Sequence, residues 1–141
     1  MNAALDTTRL RGGPLRRYGG KGHNAPRVVP HFARAKVYAE ACLGAGGIFF
    51  RVPEGIYARA AVNDLDESIA TFFRVLRDQP DELVRLCSLT PYSRSEFAAA
   101  LARSDDPMEE SRRVWVRGRQ GFGGQADGVG DWGRTTGSAN G

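Results

Sequence analysis

The chain's residue pattern predicts an α/β fold, one βαβ unit followed by helices, on three observations. A short run that mixes β-branched and aromatic residues, KVYAEA (36–41), runs into Gly44, Gly46 and Gly47. A second short run, RAAVND (59–64), ends on acids. From residue 66 onward the apolar residues recur at helical spacing instead of alternating. Two short strands joined through a glycine turn outline a parallel pair with a crossover between them.

Composition sets the bounds. With 141 residues, 41% hydrophobic and 26% charged, the chain matches one globular domain and not a wholly disordered or collagen-like polymer. Eighteen of its 20 cations are arginine, and against 16 acids they leave a net charge of +4, a mild bias toward anionic partners such as nucleic acid. The bias is concentrated at the N-terminus, where residues 1–34 hold seven cations and one acid. Cys42 and Cys87 form neither a CxxC nor a Cys/His ligand spacing, so no disulfide framework or zinc site is expected and a reducing compartment fits. No apolar run approaches the roughly 18 to 20 residues of a bilayer span, and MNAALDTTRLRGG lacks a signal peptide's apolar centre, so a soluble cytoplasmic protein is expected. Residues 1–13 and 125–141 are polar and glycine-rich and are expected to lack fixed structure, leaving 14–124 as the domain.

The elements follow in order. In PLRRYGGKGHNAP (14–26), paired glycines precede Lys21 and a short helix that Asn24 caps and Pro26 starts. Lys21 suits a carboxylate or phosphate, although a solvated basic loop accounts for the composition as well. His23 and His31 lie eight apart with no third ligand, so no metal site is expected. KVYAEA reads as a buried parallel strand, Gly46 through Arg51 as the crossover helix and RAAVND as the second strand. DESIATFFRVLRD (66–78) is helical, with Ile69, Phe72, Phe73 and Leu76 on one face. Pro80 and Asp81 open a helix with Leu83, Val84, Leu86 and Cys87 inward, and Pro91 closes it. Ser93 or Ser95 caps SEFAAALAR, and Asp105, Asp106 and Pro107 start a last helix through MEESRRVWVRGR that yields to QGFGG.

Three segments carry candidate chemistry. In AEACLGAGGIFF (39–50) a glycine turn exposes backbone N–H groups where a parallel sheet binds ligands. It departs from GxGxxG, because Phe49 stands at the third glycine, and Gly20-Lys21 is no P-loop because Leu15 stands at its first. A turn made for packing alone fits equally. Asp64 and Asp66 end the second strand, and Asp64 follows Gly44 by 20 residues, the spacing at which an acid accepts hydrogen bonds from a ribose; helix capping is the alternative. SRRVWVRGRQGFGG (111–124) sets four arginines around Trp115 and Phe122, which suits phosphate contact and base stacking, or an amphipathic helix with solvated arginines around a buried Trp115. The nucleic-acid candidates are Arg117, Arg119 and Gln120.

Taken in this order, the segments resemble the Dam-like DNA adenine methyltransferases, which move a methyl group from S-adenosylmethionine to the exocyclic amine of adenine in DNA. PLRRYGGK is similar to that family's N-terminal cofactor motif, VYAEACLGAGGIFF to its methionine-binding motif and NDLD to its ribose-binding acid. FFRVLRD, LTPYSRSEF and RRVWVRGRQGFGG are similar to the helical segments that follow, so the resemblance covers residues 14–124. It implies an incomplete Rossmann-like methyltransferase fold, S-adenosylmethionine as cofactor, double-stranded DNA as partner and a place in restriction–modification or other DNA marking. It further implies that Lys21 and Glu40 lie near the cofactor's methionine end, that the backbone at Gly44 and Gly46 cradles it and that Asp64 holds its ribose. Arg17, also placed at the cofactor, stands where the family usually has Trp, while Ala41 and Cys42 replace Pro and Phe. The family's catalytic tetrapeptide, Asp or Asn followed by Pro-Pro-Tyr, does not occur in the chain, and Tyr92 follows a single proline. The expectation is therefore the N-terminal part of a longer enzyme, or a decayed gene product, inactive alone and with no catalytic residue of its own. A reading from another class is a non-enzymatic, arginine-rich nucleic-acid-binding fragment acting through Arg9 to Arg34 and Arg112 to Arg119.

Overall fold

A computed structural model describes residues 13–122 and 132–133. The tails expected at 1–13 and 125–141 lie, apart from Gly13, Trp132 and Gly133, outside the described residues. The chain is mixed α/β. It divides into two compact units, Met1–Leu65 and Asp66–Gly141.

The first unit holds a two-stranded parallel sheet, β1 (Ala35–Glu40) and β2 (Tyr57–Val62), in register from Ala35 opposite Tyr57 to Glu40 opposite Val62. Ahead of the sheet lie a 3-10 turn at Lys21–His23, the single helical turn α1 (Ala25–Val28) and a second 3-10 turn at Val29–His31. Pro26 sits near the start of α1 as expected, but Asn24 makes no side-chain cap. Asn24 is itself in helical conformation, and its N–H bonds to Lys21 O, so one turn runs straight into the next.

The expected crossover helix from Gly46 to Arg51 does not form. Only a 3-10 turn at Phe49–Arg51 is present, with Phe50 N bonding to Gly46 O at 3.0 Å. Gly44 and Gly46 adopt positive φ, 54° and 73°, which breaks the helical backbone just where the crossover would start. Pro53 follows two residues after the turn and discourages extension. Without a helix lying over the sheet, β1 is not the buried strand expected from its composition: Tyr38 and Glu40 are buried and its other four residues are exposed. Three aromatic rings gather around Tyr38 instead, its ring centroid lying 5.9 Å from Phe32, 6.2 Å from Phe49 and 5.2 Å from Tyr57. Such ring pairs each add about 0.5–1.5 kcal/mol beyond their buried area.

The second unit is helical: α2 (Glu67–Asp78), α3 (Pro80–Leu89), α4 (Arg94–Ala100) and α5 (Pro107–Gln120). Three of the four start on side-chain caps. Asp66 accepts from Ser68 N at 3.1 Å, Ser93 from Glu96 N at 3.1 Å, and Asp106 from Met108 N at 3.3 Å and Glu109 N at 3.2 Å. α5 packs against the other three, burying Val114 and Val116 with Ile69, Phe72 and Val75 of α2, Leu83 and Cys87 of α3, and Phe97 and Ala100 of α4.

Two inward faces differ from the pattern reading. On α2 the buried stripe is turned toward Ser68 and Val75, leaving Phe73 and Leu76 half-buried. Small Ser68 lets α5 come close and hydrogen-bonds Glu110 there. On α3, Leu83 and Cys87 are buried while Val84 is 58% exposed, because residues one apart on a helix point 100° from each other. Trp115, for which the sequence left both stacking and burial open, is half-buried.

Candidate functional site

The first unit brings four of the sequence candidates into one cleft. The end of β1 delivers Glu40, the chain turns through Cys42 and Leu43 to Gly44, and the end of β2 delivers Asp64 alongside. Asn63 N bonds to Glu40 O and Leu43 N to Asn63 O, both at 2.9 Å, so the two strand ends are stitched together just beyond the sheet. Gly44 N then donates to Asp64 Oδ2 at 2.7 Å. Gly44 also has positive φ, so a side chain at this position would be strained.

Lys21 closes the other side. Its Nζ donates to Glu40 Oε1 and to Cys42 O, each at 2.6 Å, tying the segment before α1 to the end of β1. Glu40 is 8% exposed, and its second oxygen accepts from the Tyr38 hydroxyl at 2.6 Å. Burial, and then the hydrogen bond to the neighbouring Glu40 carboxylate, push the Tyr38 phenol above the usual tyrosine range. Glu40 is thus charge-compensated by Lys21 and oriented by Tyr38, as a buried carboxylate requires. The two loops also meet without side chains: a Cβ on Gly47 would lie 2.6 Å from Gly22 N, so only glycine fits at that approach.

The resulting cleft, about 310 Å³, is lined by Arg17, Tyr18, Gly19, Gly20, Lys21, Cys42, Leu43, Gly44, Ala45 and Asp64. A second cleft, about 610 Å³, contains Lys21, Glu40 and Cys42 as well and extends along β1 past Phe32, Tyr38 and Tyr57. Arg17, Lys21, Gly44 and Asp64 therefore share one cleft, and Glu40 reaches them through Lys21. Gly46 lines neither: it is buried beneath the turn, its N–H bonded to Leu43 O at 2.9 Å. Tyr38 and Cys42 were not among the candidates. The readable signal for Tyr38 is its i, i+2 spacing from Glu40 on a strand, which puts both on one face. The Cys42 contribution is a backbone carbonyl, which side-chain identity does not reveal.

The three nucleic-acid candidates lie in the second unit and have different environments. Arg117 is 7% exposed, its guanidinium donating to Glu110 Oε1 at 2.8 Å and Ala100 O at 2.7 Å. Gln120 is 1% exposed, donating to Pro91 O at 2.8 Å and accepting from Ser93 N at 3.2 Å. Both groups hold the helices together, and Arg119 is the one member of the trio that faces solvent. Arg112 is also engaged, with Glu96 and with Glu109 at 2.7 Å.

Among the described residues, no cluster of His, Cys, Asp and Glu is arranged to hold a metal ion, and no helix is long and apolar enough to cross a membrane. No known family model matches the chain, and a search of curated proteins finds no match to it either.

Proposed function

We propose that the chain is the cofactor-binding portion of an S-adenosylmethionine-dependent, adenine-specific DNA methyltransferase of Rossmann-like fold, acting in the cytoplasm on double-stranded DNA. The observation that carries this reading is the meeting of Lys21, Gly44 and Asp64 in one cleft at the carboxyl ends of two parallel strands. Open α/β sheets take nucleotide-like ligands at that place.

The residues present fit such a ligand. The cleft of about 310 Å³ is at the lower end of the range for small-molecule sites. A carboxylate offers about four lone-pair positions, so Asp64 can hold the Gly44 turn and still accept from ribose hydroxyls. The ammonium of Lys21 has three donors, of which Glu40 and the Cys42 carbonyl take two; the third suits the carboxylate of the methionine moiety. Glu40, fixed by Lys21 and Tyr38, positions that ammonium. When bound, the cofactor supplies an electrophilic methyl group, and the residues named here bind and orient it.

The test is calorimetric titration of the full chain with S-adenosylmethionine. Asp64→Ala is expected to weaken binding at least tenfold, and Asp64→Asn, which keeps an oxygen for Gly44 N–H, to weaken it less while leaving the thermal melt unchanged. Affinity equal to that of the unaltered chain in both variants would overturn the assignment.

A further inference from the structure

The second unit carries a face that the cofactor reading does not use. Tyr92, 46% exposed, lies against Trp132 with ring centroids 6.0 Å apart, and the Arg94 guanidinium sits 5.5 Å from the Trp132 centroid. The Tyr92 hydroxyl donates to Gly133 O, and the Phe122 backbone packs on Gly133 so closely that a Cβ there would come within 3.1 Å. Phe122 itself is 70% exposed. Tyr92 also borders a cleft of about 370 Å³ that includes Trp115 and Arg119. Tyr92 therefore contacts a guanidinium-capped indole and also borders a cleft with a second indole and a second arginine.

The charges point the same way. Among the described residues of this unit, Arg77, Arg85, Arg103, Arg112, Arg113 and Arg117 each have a carboxylate partner. Arg94 and Arg119, both exposed, have none, and of the arginines so placed only Arg74 on α2 lies away from these aromatics in the sequence. Two guanidinium groups without a carboxylate partner, Arg94 over the half-buried Trp132 ring and Arg119 in the cleft beside the exposed Tyr92, would be attracted to an anionic chain that also presents flat apolar surfaces.

We propose that this face, formed by Tyr92, Arg94, Arg119, Phe122 and Trp132, binds single-stranded nucleic acid. Its rings stack on unpaired bases while Arg94 and Arg119 meet the phosphates. The choice of single strand follows from geometry, because in a duplex the base faces are already stacked on one another and exposed rings have no surface to cover. The proposal stands apart from the cofactor reading, since it uses neither the cleft of the first unit nor any cofactor.

The experiment is fluorescence anisotropy of a labelled oligonucleotide of about a dozen residues, single-stranded or as duplex, with the full chain and no cofactor. Phe122→Ala, at an exposed position, is expected to weaken single-strand binding about tenfold. Arg94→Ala with Arg119→Ala is expected to reduce the slope of log affinity against log salt by about 1.4, two contacts at about 0.7 each. Arg74→Ala is expected to stay within twofold. Any of three results overturns the proposal: absence of binding, an Arg74 effect as large as that of the double variant, or tighter binding of duplex with Phe122→Ala indifferent.

Discussion

Arg117 illustrates how one buried pair shapes the second unit. At 7% exposure its guanidinium depends on Glu110, itself 5% exposed, and on the Ala100 carbonyl. Burial raises the Glu110 carboxyl, but the bonds from Arg117, Ser68 and the Ser104 backbone outweigh it and hold the group below the usual carboxylate range. Removing one member leaves an uncompensated charge in the interior, which costs about 3–5 kcal/mol, whereas removing both does not. Arg117→Met is therefore expected to lower urea stability by about that amount. A double-mutant cycle with Glu110→Met should show a coupling of about 2 kcal/mol or more, and a coupling near zero would contradict the account. The sequence marks both residues as charged, and their separation of seven places them on one helix face two turns apart. It does not say whether that face looks to solvent or to a neighbouring helix, which is why arginine-rich composition alone suggests a surface role. Asp64 and Gly44 were legible for the opposite reason: their spacing is tied to strand ends, and strand ends meet in a parallel pair.

Helices proved more legible than the crossover. Asp66, Ser93 and Asp106 mark helix starts by side-chain chemistry that acts within three residues, so local sequence is enough. The glycine-rich crossover is decided by backbone conformation and by contact with the Lys21 turn, which no periodicity encodes. On α5, Glu109 lies one turn before Arg112 and Arg113 and accepts from both, and Arg112 continues to Glu96 on α4. The bond from Arg112 is the largest influence holding the Glu109 carboxyl down, to about 2, against desolvation. A carboxyl depressed on folding contributes stability that is fully present above its unfolded value, near 4.5, and is lost as pH falls through about 2. Glu109→Gln is expected to cost about 2 kcal/mol at neutral pH, allowing for solvent screening of this part-exposed group. That difference from the unaltered chain should shrink between pH 4.5 and pH 2. Urea titrations at three pH values read it, and a gap independent of pH would refute the assignment.

The chain as a whole joins two units of unequal consolidation. One packs three helices on a fourth over an apolar interior that also holds the Arg117–Glu110 pair, and the other holds a two-stranded sheet in which most side chains are exposed. Leu65, where one ends and the other begins, is 97% exposed. Hydrogen exchange read by mass spectrometry should show α5 amides protected at least about a hundredfold more than those of β1 and β2, since local opening follows buried apolar contact. Equal protection, or the reverse order, would contradict this. The parallel register also has a kinetic side. Ala35 and Tyr57 are 22 residues apart, and so is every pair in the ladder, so the strands meet only after a long loop closes, at an entropic cost of about 3 kcal/mol before any pairing is gained. Helices grow from neighbouring residues and need no such wait. The cleft is thus assembled at the last closure of its own unit. A ligand held there would act as a clasp on the fold, and mild denaturant would release that ligand while the helices stay formed.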